Sequence, residues 1–224
     1  MLMASGAIPP ALVAFVEAEG DQGGGSPWAF TGKSLGAAAT DRFIIVGVFA
    51  PSTSTVNVDA VTAVTMQGIS ATRRAAVNSH NNFHQLDFWG AYVPTGTTGN
   101  IVVTTSGGRA SMSIAIFRAT GLLSSTPTDI DSDNTTNTSP LSASVDVEAG
   151  GFALAIAMTG PNTNTFTWTG LTERFDTPLP VDPATNASQS GASDNFESGS
   201  TGLTVTASPS TTRASQTLLV IAMR

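Results

Sequence analysis

The chain contains no cysteine. Disulfide bonds, thiolate metal sites and a cysteine nucleophile are therefore excluded together, and the redox compartment stays undecided. A compact chain of 224 residues can bury roughly 70% of its unfolded surface, so neither a metal nor a disulfide is needed to stabilise it. We expect one large β domain or two small ones.

Charged residues are also scarce. They make up 11% of the chain, whereas an average globular protein has about 25%. Lys33 is the only lysine, and the formal net charge is −7. A nucleic-acid-binding surface needs clustered cations that displace phosphate counterions, so we expect no nucleic-acid partner. Hydroxyls, amides and backbone must cover the surface instead, as is common in proteins that meet other proteins over large areas.

Long apolar runs are missing too. No stretch approaches the ~20 apolar residues that span a bilayer, so we expect no membrane segment. The first ten residues lack a basic residue, and Pro9-Pro10 interrupts their apolar stretch, which argues against a signal peptide. These prolines favour an extended backbone. Residues 1–32 are therefore predicted to form an N-terminal arm and leading strands, with assembly contacts at Ile8, Pro9 and Pro10.

What the chain does contain is a set of short β-branched runs that occurs twice. Residues 99–118 predict a strand, a Ser-Gly-Gly turn and a more apolar strand, and residues 202–224 follow nearly the same pattern. The apolar run 42–50, which ends at Pro51, is echoed by the run 151–158. A repeat of roughly 85 to 100 residues is too long for a solenoid unit.

Each copy offers about four strands joined by Gly, Pro and Asn turns. We therefore predict an all-β fold: one two-sheet antiparallel β-sandwich of jelly-roll type with an internal pseudo-twofold repeat. Its domain covers 33–224, with repeat halves at about 33–120 and 141–224 and a joining loop at 121–140. Two separate four-stranded domains are less favoured, because each would have a thin core and exposed edge strands.

The alternating carboxylates of Asp129, Asp131 and Asp133 invite comparison with a calcium loop, because hard cations bind several oxygen ligands from one loop. However, Asn134 occupies the position where an EF-hand needs glycine, and Pro140 the position where it needs glutamate. A solvated turn is the preferred interpretation, and no metal is predicted here.

His80 and His84 have the i, i+4 spacing that binds zinc when it occurs on a helix. Asp87 follows three residues later, but Asn81 and Asn82 favour a loop, where that spacing loses its meaning.

The strained G-x-S-x-G turn of serine hydrolases is absent. No glutamate lies in a setting that marks it as a catalytic acid. We predict no enzyme, no catalytic residue, no metal and no cofactor.

The aromatic residues suggest one alternative. Trp28, Trp89 and Tyr92 are candidates for a platform on which sugar rings stack, whereas core packing is the more common role of tryptophan in a sandwich. Trp168 occupies the position of Met66 in the other copy, which favours the packing role. Sugar binding is kept as the alternative function.

Three segments resemble a known group of proteins: Asp41-Arg42-Phe43-Ile44-Ile45-Val46-Gly47-Val48, residues 65–72, and residues 92–104. They are similar to β-rich proteins encoded among the structural genes of tailed bacteriophages and of prophages in high-GC bacteria. The resemblance covers most of the chain from about residue 33. Its motifs are strands and turns, so it carries over no catalytic or binding residue.

The resemblance implies a virion component, either a capsid decoration protein or a tail, neck or fibre protein. We therefore expect a non-enzymatic structural protein, assembled in the host cytoplasm and located in the virion. Its expected partners are copies of itself, as a homo-oligomer, and major capsid or tail proteins. A carbohydrate-binding module used in host adsorption is the alternative.

Overall fold

The computed structural model describes residues 8–21, 25–51, 61–107, 111–160, 164–178 and 187–224. Within these ranges the chain forms seventeen β-strands. The described residues include no helix long and apolar enough to cross a bilayer. The predicted all-β class with antiparallel pairing is confirmed.

The strands are named in chain order. In the N-terminal half they are β1 (Leu12–Asp21), β2 (Trp28–Ser34), β3 (Phe43–Pro51), β4 (Val61–Met66), β5 (Ile69–Ser70), β6 (Thr72–Asn78), β7 (His84–Tyr92), β8 (Thr98–Thr105) and β9 (Met112–Thr120). In the C-terminal half they are β10 (Asp129–Asp133), β11 (Leu141–Val147), β12 (Gly151–Thr159), β13 (Phe166–Thr169), β14 (Glu173–Pro178), β15 (Ser188–Phe196), β16 (Ser200–Pro209) and β17 (Gln216–Met223).

The described strands form four sheets, which corrects the prediction of two. Sheet A has the order β1-β9-β3-β7-β6, and sheet B has the order β2-β8-β4-β5. Sheet C has the order β10-β17-β12-β15-β14, and sheet D has the order β11-β16-β13. Each half of the chain therefore builds one five-stranded sheet and one smaller sheet. The residues 129–133, expected within the joining loop, form the edge strand β10 of sheet C.

The sheets stack as four layers in the order B, A, C, D. One apolar cluster lies between sheets A and B, a second between sheets A and C, and a third between sheets C and D. Along β3, Ile44 and Val46 belong to the first cluster, whereas Phe43 and Ile45 belong to the second. A strand covered on both faces needs apolar residues at every position, which accounts for the continuous run in β3.

Sheets A and C approach each other closely at Gly47 in β3. A Cβ atom added to Gly47 would lie 3.2 Å from Cγ2 of Ile156 in β12. A buried hydrogen bond also joins the two sheets: the hydroxyl of Ser113 in β9 donates to Oε1 of Gln189 in β15 at 2.6 Å. The two halves are therefore joined by an interface with the burial of a protein core, and they are not separate globules.

A carboxylate links sheets C and D on the side of the edge strand β14. Oδ2 of Asp176 in β14 accepts a hydrogen bond from the backbone N–H of Phe166 in β13, at 2.9 Å. Burial raises the pKa of Asp176, and the hydrogen bond from Phe166 offsets part of that rise. Burial and the charge of Asp176 also raise the pKa of Glu173 on the same strand. Ionisation of Asp176 at neutral pH therefore opposes folding.

Replacing Asp176 with asparagine should make stability less dependent on pH. A carboxyl group whose pKa is raised in the folded state loses stability as the pH rises from its unfolded pKa through its folded pKa. The amide oxygen of Asp176→Asn can still accept the Phe166 hydrogen bond. We expect the stability of the variant relative to wild type to increase between pH 4 and pH 7, as measured by urea unfolding. A difference that stays constant, or that falls with pH, would contradict this; Glu148→Gln on the exposed surface is the control.

Candidate assembly surface

Residues 1–7 of the predicted N-terminal arm lie outside the described residues; residues 8–10 of the arm lie beside the strand ends of sheet C, outside all four sheets. The arm is anchored where it enters the fold: the Ala11 N–H donates to the carbonyl of Gly150 at 2.7 Å. Arg224 Nη1 donates to the carbonyl of Pro9 at 3.0 Å. Ile8 itself is 60% exposed. The arm is therefore held at its base, while its apolar side chain faces solvent.

A groove runs between the arm and the tips of sheet C; we call it the arm groove. Its wider part has a volume of about 290 Å³ and is lined by Ile8, Pro10, Ala149, Gly150, Glu197 and Arg224. A narrower part of about 140 Å³ shares Pro10 and Glu197 with it and continues along Leu12 and Asn195. The lining thus combines apolar side chains with one carboxylate and one guanidinium.

Arg224 organises this end of the molecule. It is 8% exposed although it is charged. Its carbonyl accepts backbone hydrogen bonds from Leu123 at 3.0 Å and from Ser124 at 3.1 Å. Gly150 has a φ of +73°, and a Cβ atom there would lie 3.2 Å from Cζ of Arg224. The guanidinium therefore packs directly against the backbone at Gly150, and the positive φ of this residue favours glycine.

Asn195 attaches the first strand to sheet C. Its Oδ1 accepts from the Val13 N–H at 2.8 Å, and its Nδ2 donates to the Val13 carbonyl at 3.2 Å. One amide side chain thus pairs with both backbone groups of an edge residue in β1, as a neighbouring strand would. The base of the arm is therefore held in a defined position on the C-terminal half.

Exposed apolar side chains concentrate at this end. Six large hydrophobic residues are exposed in the part of the chain that the structure describes, and Ile8, Leu12 and Leu123 are three of them. Ile8 and Leu12 line the arm groove, and the backbone of Leu123 bonds to Arg224. Single exposed hydrophobic residues are ordinary, but a group of them is typical of a contact surface.

The residues proposed for sugar stacking are not exposed together. Trp28 and Trp89 are 2% and 6% exposed, and both pack in the apolar cluster between sheets A and B. Tyr92 is 47% exposed, and its ring meets the edge of Phe43 at a centroid distance of 4.9 Å. Trp28 and Trp89 occupy inward-facing positions of β2 and β7, so neither presents a ring face to solvent. The three residues do not form a platform for a sugar.

The histidine and acidic candidates differ in their burial. His80 is exposed, whereas His84 is buried at the start of β7. Asp87 is fully buried, and its Oδ1 lies 2.9 Å from Nε of Arg73. That guanidinium also lies 4.9 Å above the Trp89 ring. Across the described ranges, no group of three or more His, Asp or Glu side chains is arranged to hold a metal ion.

The sequence alone did not reveal the residues that hold residues 9 and 13 in place. Asn195 and Arg224 bond to residues 182 and 215 positions away, and no local pattern reports contacts over such separations. Ala11, Leu12 and Val13 are all apolar, so only the structure shows that Leu12 lies on the outer face of the edge strand β1. No family model matches the chain, and comparisons with curated proteins and with solved structures find no match.

Proposed function

We propose that the protein is a non-enzymatic structural component of a tailed-bacteriophage particle, of the capsid decoration or of the tail and fibre type. It acts through contacts with copies of itself and with major capsid or tail proteins. The observation that carries the proposal is the arm: residues 8–10 lie outside the sheets, anchored at Pro9 and Ala11, beside a groove and next to exposed Leu12 and Leu123.

The chemistry of the arm supports a role in assembly. Pro9 and Pro10 lack backbone N–H groups and have a fixed φ, so an extended segment built from them has no donor to satisfy and little backbone freedom to lose on binding. Ile8 supplies an apolar side chain that gains stability when a partner covers it. An arm fixed at its base is thus suited to lie on a neighbouring subunit.

The rest of the surface is compatible with repeated protein contacts. The outer face of sheet D presents exposed hydroxyl side chains, among them Ser142, Ser144, Thr167, Thr169 and Thr204. Short hydroxyl side chains lose little rotamer entropy when they are covered, in contrast to long charged ones. Interfaces that depend on many weak contacts therefore form at a low entropic cost on such a face.

We further propose that the two halves are copies of one jelly-roll unit. The orders β1-β9-β3-β7 and β2-β8-β4-β5 support this proposal, because most successive strands lie in opposite sheets, as in a double Greek key. The orders β10-β17-β12-β15 and β11-β16-β13 have the same form in the second half. Viral capsid proteins and lectins both use jelly rolls, so the architecture is an analogy that supports a virion role and does not carry it.

Replacing Ile8 with aspartate is expected to weaken binding to assembled particles about tenfold or more, because an exposed apolar contact becomes a charge that must be desolvated. Binding is measured by co-sedimentation with particles of the phage or prophage that encodes the chain, and cryo-electron microscopy locates the bound protein. Thermal stability should stay at the wild-type value.

The matched control is Ile69→Asp. Ile69 is 40% exposed, and it lies in β5 at the edge of sheet B, away from the arm groove. We expect it to bind particles as wild type does. Equal binding by Ile8→Asp and wild type would exclude the arm as an assembly contact, and failure of wild type to bind any particle would exclude the virion role itself.

A further inference from the structure

The aspartates of β10 form a regular contact with the edge of another sheet. β10 is the edge strand of sheet C, and β11 is the edge strand of sheet D, with β16 on its other side. The Oδ2 atoms of Asp129, Asp131 and Asp133 accept hydrogen bonds from the backbone N–H groups of Asp146, Ser144 and Ser142, at distances of 2.7, 2.7 and 2.8 Å.

These carboxylates stand where the carbonyl groups of a neighbouring strand would stand. The alternate N–H groups of an edge strand point to the same side, and in a ladder they meet the carbonyls of the next strand. Because side chains in a strand alternate with a period of two, residues 129, 131 and 133 all face β11. The D-x-D-x-D pattern is therefore the pattern of a strand that covers an edge, and not that of a turn.

The carboxylates are also held in position by backbone N–H groups of β10 and of the residues just after it. The Oδ1 atoms of Asp129, Asp131 and Asp133 accept hydrogen bonds from the backbone N–H groups of Ile130, Ser132 and Thr135, at 2.8, 2.8 and 2.9 Å. Each carboxylate thus uses one oxygen locally and the other across the gap between the sheets. Hydrogen bonds to a charged acceptor are stronger than neutral ones. Three of them therefore satisfy the outward-facing N–H groups of β11.

The N-terminal half has a weaker version of the same contact. Glu17 in β1 accepts a hydrogen bond from the Ser34 N–H in β2 at 3.1 Å. Lys33 lies close to Glu17 and Glu19. β1 and β2 are edge strands of sheets A and B, as β10 and β11 are of sheets C and D. Three carboxylates therefore make this contact in the C-terminal half, whereas one described carboxylate, that of Glu17, makes it in the N-terminal half.

We propose that Asp129, Asp131 and Asp133 act as a cover that keeps the edge of β11 from pairing with a second copy of the chain. β11 alternates buried apolar residues with exposed polar ones: Leu141, Ala143, Val145 and Val147 are buried, whereas Ser142, Ser144 and Asp146 are exposed. Such a strand with free N–H groups is a template for pairing. The partner that fits it is another β11, placed antiparallel about a twofold axis. This inference does not depend on the proposed function.

The test replaces two covering aspartates with threonine, as Asp131→Thr/Asp133→Thr. Threonine favours strands, so β10 can persist, but its hydroxyl is too short to bridge the sheets. We expect this variant to gain a species of twice the wild-type mass, measured by light scattering after size-exclusion chromatography. Asp41→Asn/Glu148→Gln changes the net charge by the same amount at exposed sites and should keep the wild-type mass. A wild-type mass for the aspartate variant would overturn the proposal.

Two further measurements keep the test decisive. Ser144→Pro, added to the aspartate variant, removes one edge N–H, so the extra species should disappear; its persistence would show that pairing does not use β11.

In the folded wild-type protein, the amide protons of Ser142, Ser144 and Asp146 should exchange with solvent as slowly as amides that are hydrogen-bonded between strands. Exchange at the rate of an uncovered edge strand would overturn the proposal even if the variants fail to fold.

Discussion

Replacing Arg42 with methionine is expected to lower the free energy of unfolding by about 3–5 kcal/mol. Arg42 is completely buried just before β3. Its guanidinium donates to four backbone carbonyls: those of Val93 at 2.6 Å, Thr95 at 2.7 Å, Gly36 at 2.9 Å and Leu35 at 3.4 Å. One side chain thus connects the loop after β2 to the loop after β7, at one end of sheets A and B.

Two effects oppose each other in this substitution. Burial, and then the nearby positive charge of Arg118, lower the pKa of Arg42, so removing the charge relieves an unfavourable term. Methionine, however, leaves up to four carbonyl groups without their donors, and each buried unsatisfied group costs about 1–3 kcal/mol. Leaving up to four carbonyl groups unsatisfied costs more free energy than removing one buried charge gains. We therefore expect the substitution to destabilise the protein.

Urea unfolding of Arg42→Met and of two comparison variants measures the effect. Arg42→Lys keeps the charge but has three donors on one atom instead of a planar fork, so about half of the loss is expected. Arg213→Met removes a guanidinium from an exposed residue and should change stability by less than about 0.5 kcal/mol. Similar stabilities for Arg42→Met and Arg213→Met would show that the four-carbonyl contact contributes nothing.

Truncating Ile156 to alanine is expected to cost about 2–4 kcal/mol. Ile156 lies in β12 with no exposed surface, and its side chain faces Gly47 of sheet A. It belongs to the apolar cluster between sheets A and C. Gly47 has no side chain that could fill the space, so most of the cavity left by the truncation should persist.

The Ile156 variant also tests whether the two halves are energetically coupled. If the interface between sheets A and C stabilises both, hydrogen exchange should accelerate at the β3 amides of Val46 and Val48 as well as in β12. Ile130→Ala removes the same atoms from a residue that is 46% exposed, and it should cost less than about 1 kcal/mol. Faster exchange confined to the C-terminal half would show that the halves fold independently.

These predictions bear on the proposed role in a particle. A protein that works by contact in a lattice must transmit load between its surfaces without opening. The four-layer stack places an apolar cluster between each adjacent pair of sheets, and the arm is bonded to the C-terminal half through Arg224 and Gly150. The arm is therefore joined to sheet C by hydrogen bonds, and sheet C is joined to sheet A by a buried apolar interface.

Local sequence patterns determined the class of structure. β-branched runs and Gly, Pro and Asn turns predicted an antiparallel all-β chain, and the structure confirms this class. The apolar run 42–50 contains most of β3, whose residues are all buried. These features depend on neighbours within a few residues, since the period of a strand and the φ preference of a turn are properties of the local chain.

The tertiary structure alone decided what each face meets. The sequence of β3 shows that both faces are apolar, but not that one face meets sheet B and the other meets sheet C. It likewise left Trp28 open as a surface residue, and it left the acidic residues 129–133 as a turn. Contacts such as those from Asn195 to Val13 and from Asp131 to Ser144 arise only after the sheets have stacked, because they join segments brought together by burial of apolar surface.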